Sequence, residues 1–262
     1  MLTLCTGSEF SQPPGRTRPL AIRHWFCVVG LIASVIPGGR CLAQSEESTA
    51  PRNQLTAAEK DQGWILLFNG SDLTGWKTSS GEPSRRPVED GSLNPHKCGG
   101  YMLVYQEPVD NFQLALDFRL SPKCNTGIFF RTHSLKPRPG KDVGFNGLEV
   151  AIDDTETAGY HDTGAIYDLV KPSRNAMKRA GEWNHLVLTC DGPRVEVELN
   201  GERVTTMNLA DWTQLNRRPD GSEHKFDIAY AQHPRQGFLG LQDHGSDCWY
   251  RNVKLRKLPA SR

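Results

Sequence analysis

An excess of charge of one sign is nearly absent from this 262-residue chain: 31 Lys and Arg stand against 30 Asp and Glu, a net charge of +1 with histidine neutral. Nucleic-acid binders usually carry a basic face, and this balance supplies no such footprint. Long apolar runs are also missing. The longest, Trp25–Ile36, has 12 residues, short of the roughly 20 that a membrane helix needs, so a multi-span membrane protein is excluded. No Cys-x-x-Cys pair occurs, which argues against a zinc ribbon. No GxGxxG, P-loop or strand–helix–strand alternation occurs, which argues against nucleotide folds. Methionine is scarce, at 4 residues. What is plentiful is Gly (25) and Pro (17) beside a 37% hydrophobic fraction. That fraction supports a buried core rather than wholesale disorder, and the turn formers point to short strands rather than long helices.

The first 43 residues read as an export signal. Arg16, Arg18, Arg23 and Arg40 face one acid, Glu9, and the apolar run after His24 is broken by Pro37, Gly38 and Gly39. Cys41-Leu42-Ala43 puts small residues where a signal peptidase cuts. A single-pass anchor is the alternative. Cleavage near Ala43 would leave 27 basic and 29 acidic residues, and four of the seven cysteines: Cys98, Cys124, Cys190 and Cys248. An even number suits an oxidising compartment. Three pairings, or four unpaired buried thiols, are equally open. Residues 44–54 form a polar lead-in, and residues 55–260 a single domain without internal repeat.

Within that domain Thr56-Ala57-Ala58-Glu59 is a capping-box pattern and predicts a short helix to about Gln62, ended by Gly63. The rest is β in character. Trp64–Phe68 is a short strand closed by Asn69-Gly70. Phe112, Leu114, Leu116, Phe118 and Leu120 alternate with residues that are mostly polar, the period of a strand with one buried face. Val195, Val197 and Leu199 do the same before Asn200-Gly201, a hairpin turn signal with a return strand at Arg203–Asn208. His185–Cys190, Phe238–Gln242 and Asn252–Lys257 add strands. Many short strands spaced about ten residues apart predict an all-β antiparallel sandwich or barrel. Residues 133–146 and 211–236 read as long loops, which in a compact domain often serve function.

Ordered blocks then carry a resemblance. Leu55-Thr56-Ala57-Ala58-Glu59-Lys60 and Gly63-Trp64-Ile65-Leu66-Leu67-Phe68-Asn69-Gly70-Ser71-Asp72-Leu73-Thr74-Gly75-Trp76 open it. Asn125-Thr126-Gly127-Ile128-Phe129-Phe130-Arg131, Gly147-Leu148-Glu149-Val150 and Thr163-Gly164-Ala165-Ile166-Tyr167-Asp168 form its middle. Gly181-Glu182-Trp183-Asn184, Gly240-Leu241-Gln242-Asp243-His244-Gly245 and Trp249-Tyr250-Arg251-Asn252 close it. The set resembles the 3-keto-disaccharide hydrolase family over about residues 55–258. The resemblance implies a concanavalin A-like jelly-roll sandwich, export, and action on sugars oxidised at carbon 3. Three positions depart from the family pattern. Cys124 stands where a small residue is expected, Cys248 where Pro or Val is usual, and Ala151 where a larger polar residue is common.

Glu149 and Asp153 are four apart in a predicted strand, so period two puts both, with Ala151, on one face. Carboxylates on such a face suit acid–base work on a glycosidic bond. Arg131 is expected to project from the neighbouring strand as a group that polarises a ketone oxygen, with a structural ion pair as the alternative. Asp243 and His244 follow a buried strand, where polar residues commonly line a site, and histidine moves protons near neutral pH. Asn125, Tyr167, Asp168 and Gln242 are candidate sugar contacts, and Trp183 and Trp249 candidate stacking rings, although a sandwich Trp is more often core. Calcium held by Glu149, Asp153 and Asp243 is an alternative electrophile, without a metal-loop motif behind it. The expected reaction uses the ketone: a base takes the carbon 2 proton, the enolate is stabilised, the carbon 1 substituent leaves, and water adds back. The rivals are a glucanase-like glycosidase on unoxidised sugar, a non-catalytic carbohydrate-binding module, and a surface-assembly domain.

Overall fold

The computed structural model describes residues 52–259. The expected export signal and the lead-in as far as Pro51 lie outside the described residues. The chain enters through helix α1 (Ala57–Asp61), and its capping box is complete. The Thr56 hydroxyl accepts from the Glu59 amide at 3.2 Å, and the Glu59 carboxylate accepts from the Thr56 amide at 2.9 Å. Gly63, at φ +80°, then turns the chain into β structure.

Among the described residues eleven strands follow: β1 (Trp64–Leu66), β2 (Trp76–Thr78), β3 (Met102–Val109), β4 (Phe112–Leu120), β5 (Asn125–Thr132), β6 (Leu148–Asp153), β7 (Asn184–Asp191), β8 (Arg194–Leu199), β9 (Glu202–Asn208), β10 (Gly237–Gln242) and β11 (Cys248–Lys257). They form a six-stranded sheet ordered β1-β11-β4-β7-β8-β9 and a five-stranded sheet ordered β2-β3-β10-β5-β6. Every pairing between these strands is antiparallel. This is the expected all-β jelly-roll sandwich with one short helix.

Alternation decides what fills the middle. Leu114, Leu116, Phe118, Leu186, Leu188, Val195 and Val197 of the larger sheet meet Ile128, Phe130, Val150, Ile152, Leu239 and Leu241 of the smaller one, all buried in one cluster. Each such side chain contributes about 1.5–3 kcal/mol relative to exposure. The β8–β9 turn has Asn200 at φ +52° and Gly201 at φ +83°, the two left-handed residues that a tight two-residue hairpin demands. Strand β3 was not legible as alternation, because both its faces are covered. Leu103 enters the main core, while Met102 and Val104 join Phe129 and Val143 in a second apolar cluster on the outer face of the five-stranded sheet. The turn Val143–Asn146 lies over that outer cluster.

Candidate active site

The outer face of the five-stranded sheet gathers the candidate site residues. Strand β6 buries Leu148, Val150 and Ile152 in the main core, so Glu149, Ala151 and Asp153 point outward together. In register, Glu149 lies opposite Phe129, Ala151 opposite Gly127 and Asp153 opposite Asn125. Gly240 of β10 lies opposite Phe129 on the other side. The Asn125 amide donates to the Asp153 carboxylate at 2.9 Å.

Gly127 makes room for the key carboxyl. A Cβ built there would stand 2.1 Å from Glu149 Oε1 and 2.6 Å from its Cγ. The Glu149 side chain therefore lies over the bare backbone of β5, and burial pushes its carboxyl up to about 8, with the nearby Lys225 charge acting in the opposite sense. Gly127→Ala is expected to displace the carboxylate, which is the movable partner. Turnover should fall by about 10²-fold or more, the scale of a lost proton-transfer group, with the thermal midpoint nearly unchanged; a melting curve beside a rate assay checks this.

Around Glu149 stand groups from distant parts of the chain. Lys225 comes from the long loop after β9. Its ammonium lies 4.1 Å from the Tyr167 ring centroid and 5.4 Å from that of Phe145. The loop is held by Asp168, which accepts from the Lys225 amide at 2.8 Å and from Arg218 at 3.1 Å. Asp168 is thus a positioning residue for Lys225. Tyr167 stacks on His161 at 4.6 Å, and its amide donates to the Glu149 carbonyl at 2.9 Å. Gln242 donates through Nε2 to the Tyr101 hydroxyl at 3.2 Å. The Tyr101 phenol is pushed up to about 12, chiefly by burial and further by the Glu149 charge, so it stays protonated and able to donate. Burial also raises the Asp153 carboxyl, against the Asn125 hydrogen bond.

Asp243 lies just past β10, at the end of this sheet, but its histidine partner is not His244. It accepts from the Lys97 amide at 2.8 Å and contacts His96 Nδ1 at 3.2 Å. His244 is exposed, without a hydrogen-bond or ion-pair partner among the described residues.

Three expected site residues lie elsewhere. Arg131 does not face Glu149. It sits at φ +51°, beside a break in register where β10 passes β5, and a Cβ at Gly237 would stand 2.4 Å from its carbonyl carbon. Such a bulge inverts the alternation. The Arg131 side chain is fully buried, donates to the Gly192 carbonyl at 2.8 Å, and neighbours Cys190. Trp183 and Trp249 lie with the outer face of the six-stranded sheet, on the other side of the sandwich. Trp249 pairs in register with Arg119, alternate to the core residues Cys248 and Tyr250. Arg119 lies 5.0 Å from the Trp183 ring centroid and 4.8 Å from that of Trp249, and Arg251 lies 3.9 Å from Trp183. Guanidinium groups pack on these rings. The three acids named for calcium do not gather either: among the described residues no three His, Cys, Asp or Glu come close enough to hold a metal.

The residues not anticipated are Tyr101, Lys225, His161 and His96. Only the length of the 211–236 loop hinted at Lys225. Glu149, Asp153, Asn125 and Gln242 share the outer face of the five-stranded sheet, and Tyr167 is tied to it through the Glu149 carbonyl.

The outer face of this antiparallel sandwich thus holds a carboxyl raised by burial, Glu149, beside an ammonium, a phenol and amide donors. Residues 63–256 match the family model described as a 3-keto-alpha-glucoside-1,2-lyase-like domain. The chain belongs to that family. It is 25% identical to a 3-keto-disaccharide hydrolase of Bacteroides thetaiotaomicron, over 82% of this chain and 88% of the relative. Among solved structures, a candidate glycosyl hydrolase from Parabacteroides distasonis ATCC 8503 is 31% identical with a TM-score of 0.62, covering 74% of this chain and 99% of that one. Another from the same organism is 28% identical with a TM-score of 0.68, covering 80% and 100%.

Proposed function

We propose that this protein is an exported hydrolase that cleaves 3-keto-glycosides by elimination followed by hydration. The coarser part, a carbohydrate hydrolase, rests on the family and on the named activities of its relatives. The finer part rests on one observation: a single carboxyl, Glu149, is raised to about 8 next to a cation. A carboxylate of that basicity is matched to taking a proton from carbon near neutral pH.

In this reading Glu149 takes the carbon 2 proton of the bound keto-sugar. The electron pair moves into the ketone to give an enolate at oxygen 3, stabilised by the Lys225 ammonium and by the Tyr101 and Gln242 donors. The enolate then re-forms the ketone, a double bond forms between carbons 1 and 2, and the carbon 1–oxygen bond breaks. Glu149 hands its proton to the departing oxygen. Water adds across the double bond, hydroxyl to carbon 1 and proton to carbon 2, so the sum is hydrolysis. Asn125 and Asp153 supply partners for ring hydroxyls further along the face.

A glucanase-type mechanism fits less well. It needs two carboxyls about 5–9.5 Å apart, whereas Glu149 and Asp153 are about 13 Å apart at Cα along a strand, with Ala151 between them. The discriminating assay offers the protein a 3-keto-glucoside and its unoxidised parent. Turnover of the keto compound alone is expected. Cleavage of both would make it a general glycosidase, and binding without cleavage a carbohydrate-binding module.

A further inference from the structure

Two departures from the family pattern, Cys124 and Cys248, are far apart in sequence and meet in the fold. Strand β4 ends opposite β11, with Leu120 paired to Cys248. The Ser121 amide then donates to the Asp247 carbonyl at 3.0 Å, and the Cys124 amide returns to the Ser121 carbonyl at 3.2 Å. That turn carries Cys124 back toward Cys248, and both side chains enter the main core beside each other there. Both are fully buried in the main core, and both are free. Cys190 is excluded as a partner. It pairs with Phe112 at the opposite end of β4, eight residues from Leu120, or about 26 Å along a strand. Cys98 donates instead to the Gly100 carbonyl at 3.5 Å and lies beside Asp243.

We infer that Cys124 and Cys248 are the site of a disulfide, formed as the chain folds in an oxidising compartment. Each sulfur loses its proton as the S–S bond forms. The two electrons and two protons pass to an oxidant of the disulfide class, such as glutathione disulfide or a protein dithiol oxidant, which leaves as two thiols. The bond would close a long loop running from the start of β5 to the start of β11, and loops of that length give the largest entropic gain. It would also fasten the backbone under the site. The Cys124 carbonyl accepts from the Asp154 amide at 2.9 Å, and Asn125, the next residue, holds Asp153. This inference rests on the proposed export but not on the proposed reaction, and it can hold if that reaction fails.

The test is to refold the full chain with a mixture of reduced and oxidised glutathione, alkylate it under denaturing conditions, and map its peptides. The expected result is one cross-linked pair containing Cys124 and Cys248, with Cys98 and Cys190 alkylated. Dithiothreitol during unfolding should lower the Tm by roughly 10 °C, and should leave a Cys124→Ser/Cys248→Ser protein unmoved. Cys124 and Cys248 both alkylated after oxidative refolding, or either joined to another cysteine, would overturn the inference. The peptide map uses the unaltered chain, so it decides even where the double variant does not fold.

Discussion

Glu149→Gln is expected to lower kcat/KM for a 3-keto-glucoside by about 10³-fold, within the range seen when a positioned proton-transfer group is removed. The change keeps the shape of the side chain over Gly127 and removes only its ionisation. In the wild type kcat/KM should rise with pH through about 8, the range to which burial pushes this carboxyl, because the base must be ionised. A limb that falls above pH 8 instead would make Glu149 an acid only. Stability should respond in the opposite direction. The folded-state pKa lies above the ordinary value of 4.5, so below that value both states are protonated and nothing is lost. Between about 4.5 and 8 the unfolded chain releases its proton while the folded one retains it, and stability declines by up to a few kcal/mol as pH rises through that window. Glu149→Gln should abolish that decline, so the variant becomes more stable than the wild type at pH 8 and above. Denaturant midpoints from pH 4 to 9 check the sign.

Lys225→Met is expected to cost about 10²-fold in kcat/KM, the scale of removing one electrostatic stabiliser of a developing oxyanion. It carries a second signature that a merely structural residue lacks. Lys225 is the charge that holds the Glu149 carboxyl down against burial, so its loss should move the rising limb of the pH profile above its wild-type position. Methionine retains the length and apolar stem that pack against Tyr167 and Phe145, so the loop anchored by Asp168 has reason to stay in place. An unchanged limb, or an unchanged rate on keto-sugar, would remove Lys225 from the reaction.

Much of the framework was legible because period two reports burial directly. Phe112–Leu120 and the Val195–Asn208 hairpin are built as their alternation required, and the same rule put Glu149, Ala151 and Asp153 on one face. The rule failed where the backbone departs from extended geometry. Arg131 should have faced the site, but its left-handed φ at the β5–β10 irregularity turns it inward. Trp183 and Trp249 were misplaced for another reason: alternation tells which residues share a face, not which sheet's face they share. Lys225, Tyr101 and His96 were invisible, because each reaches the site through pairing and loop docking between segments far apart in the chain. The ordered family blocks contain Glu149, Asn125, Tyr167 and Gln242; the fold puts Glu149, Asn125 and Gln242 on one sheet face and bonds the Tyr167 amide to the Glu149 carbonyl.

The central claim is that Glu149 breaks the carbon 2–hydrogen bond before the glycosidic bond is cleaved. Turnover of a 3-keto-glucoside in heavy water, sampled early, measures this directly by the isotope at carbon 2 of the released sugar. Elimination and hydration predict one deuterium at carbon 2 per cleavage, lost together with turnover in Glu149→Gln. Cleavage by the wild type with carbon 2 still carrying its original hydrogen would contradict the account.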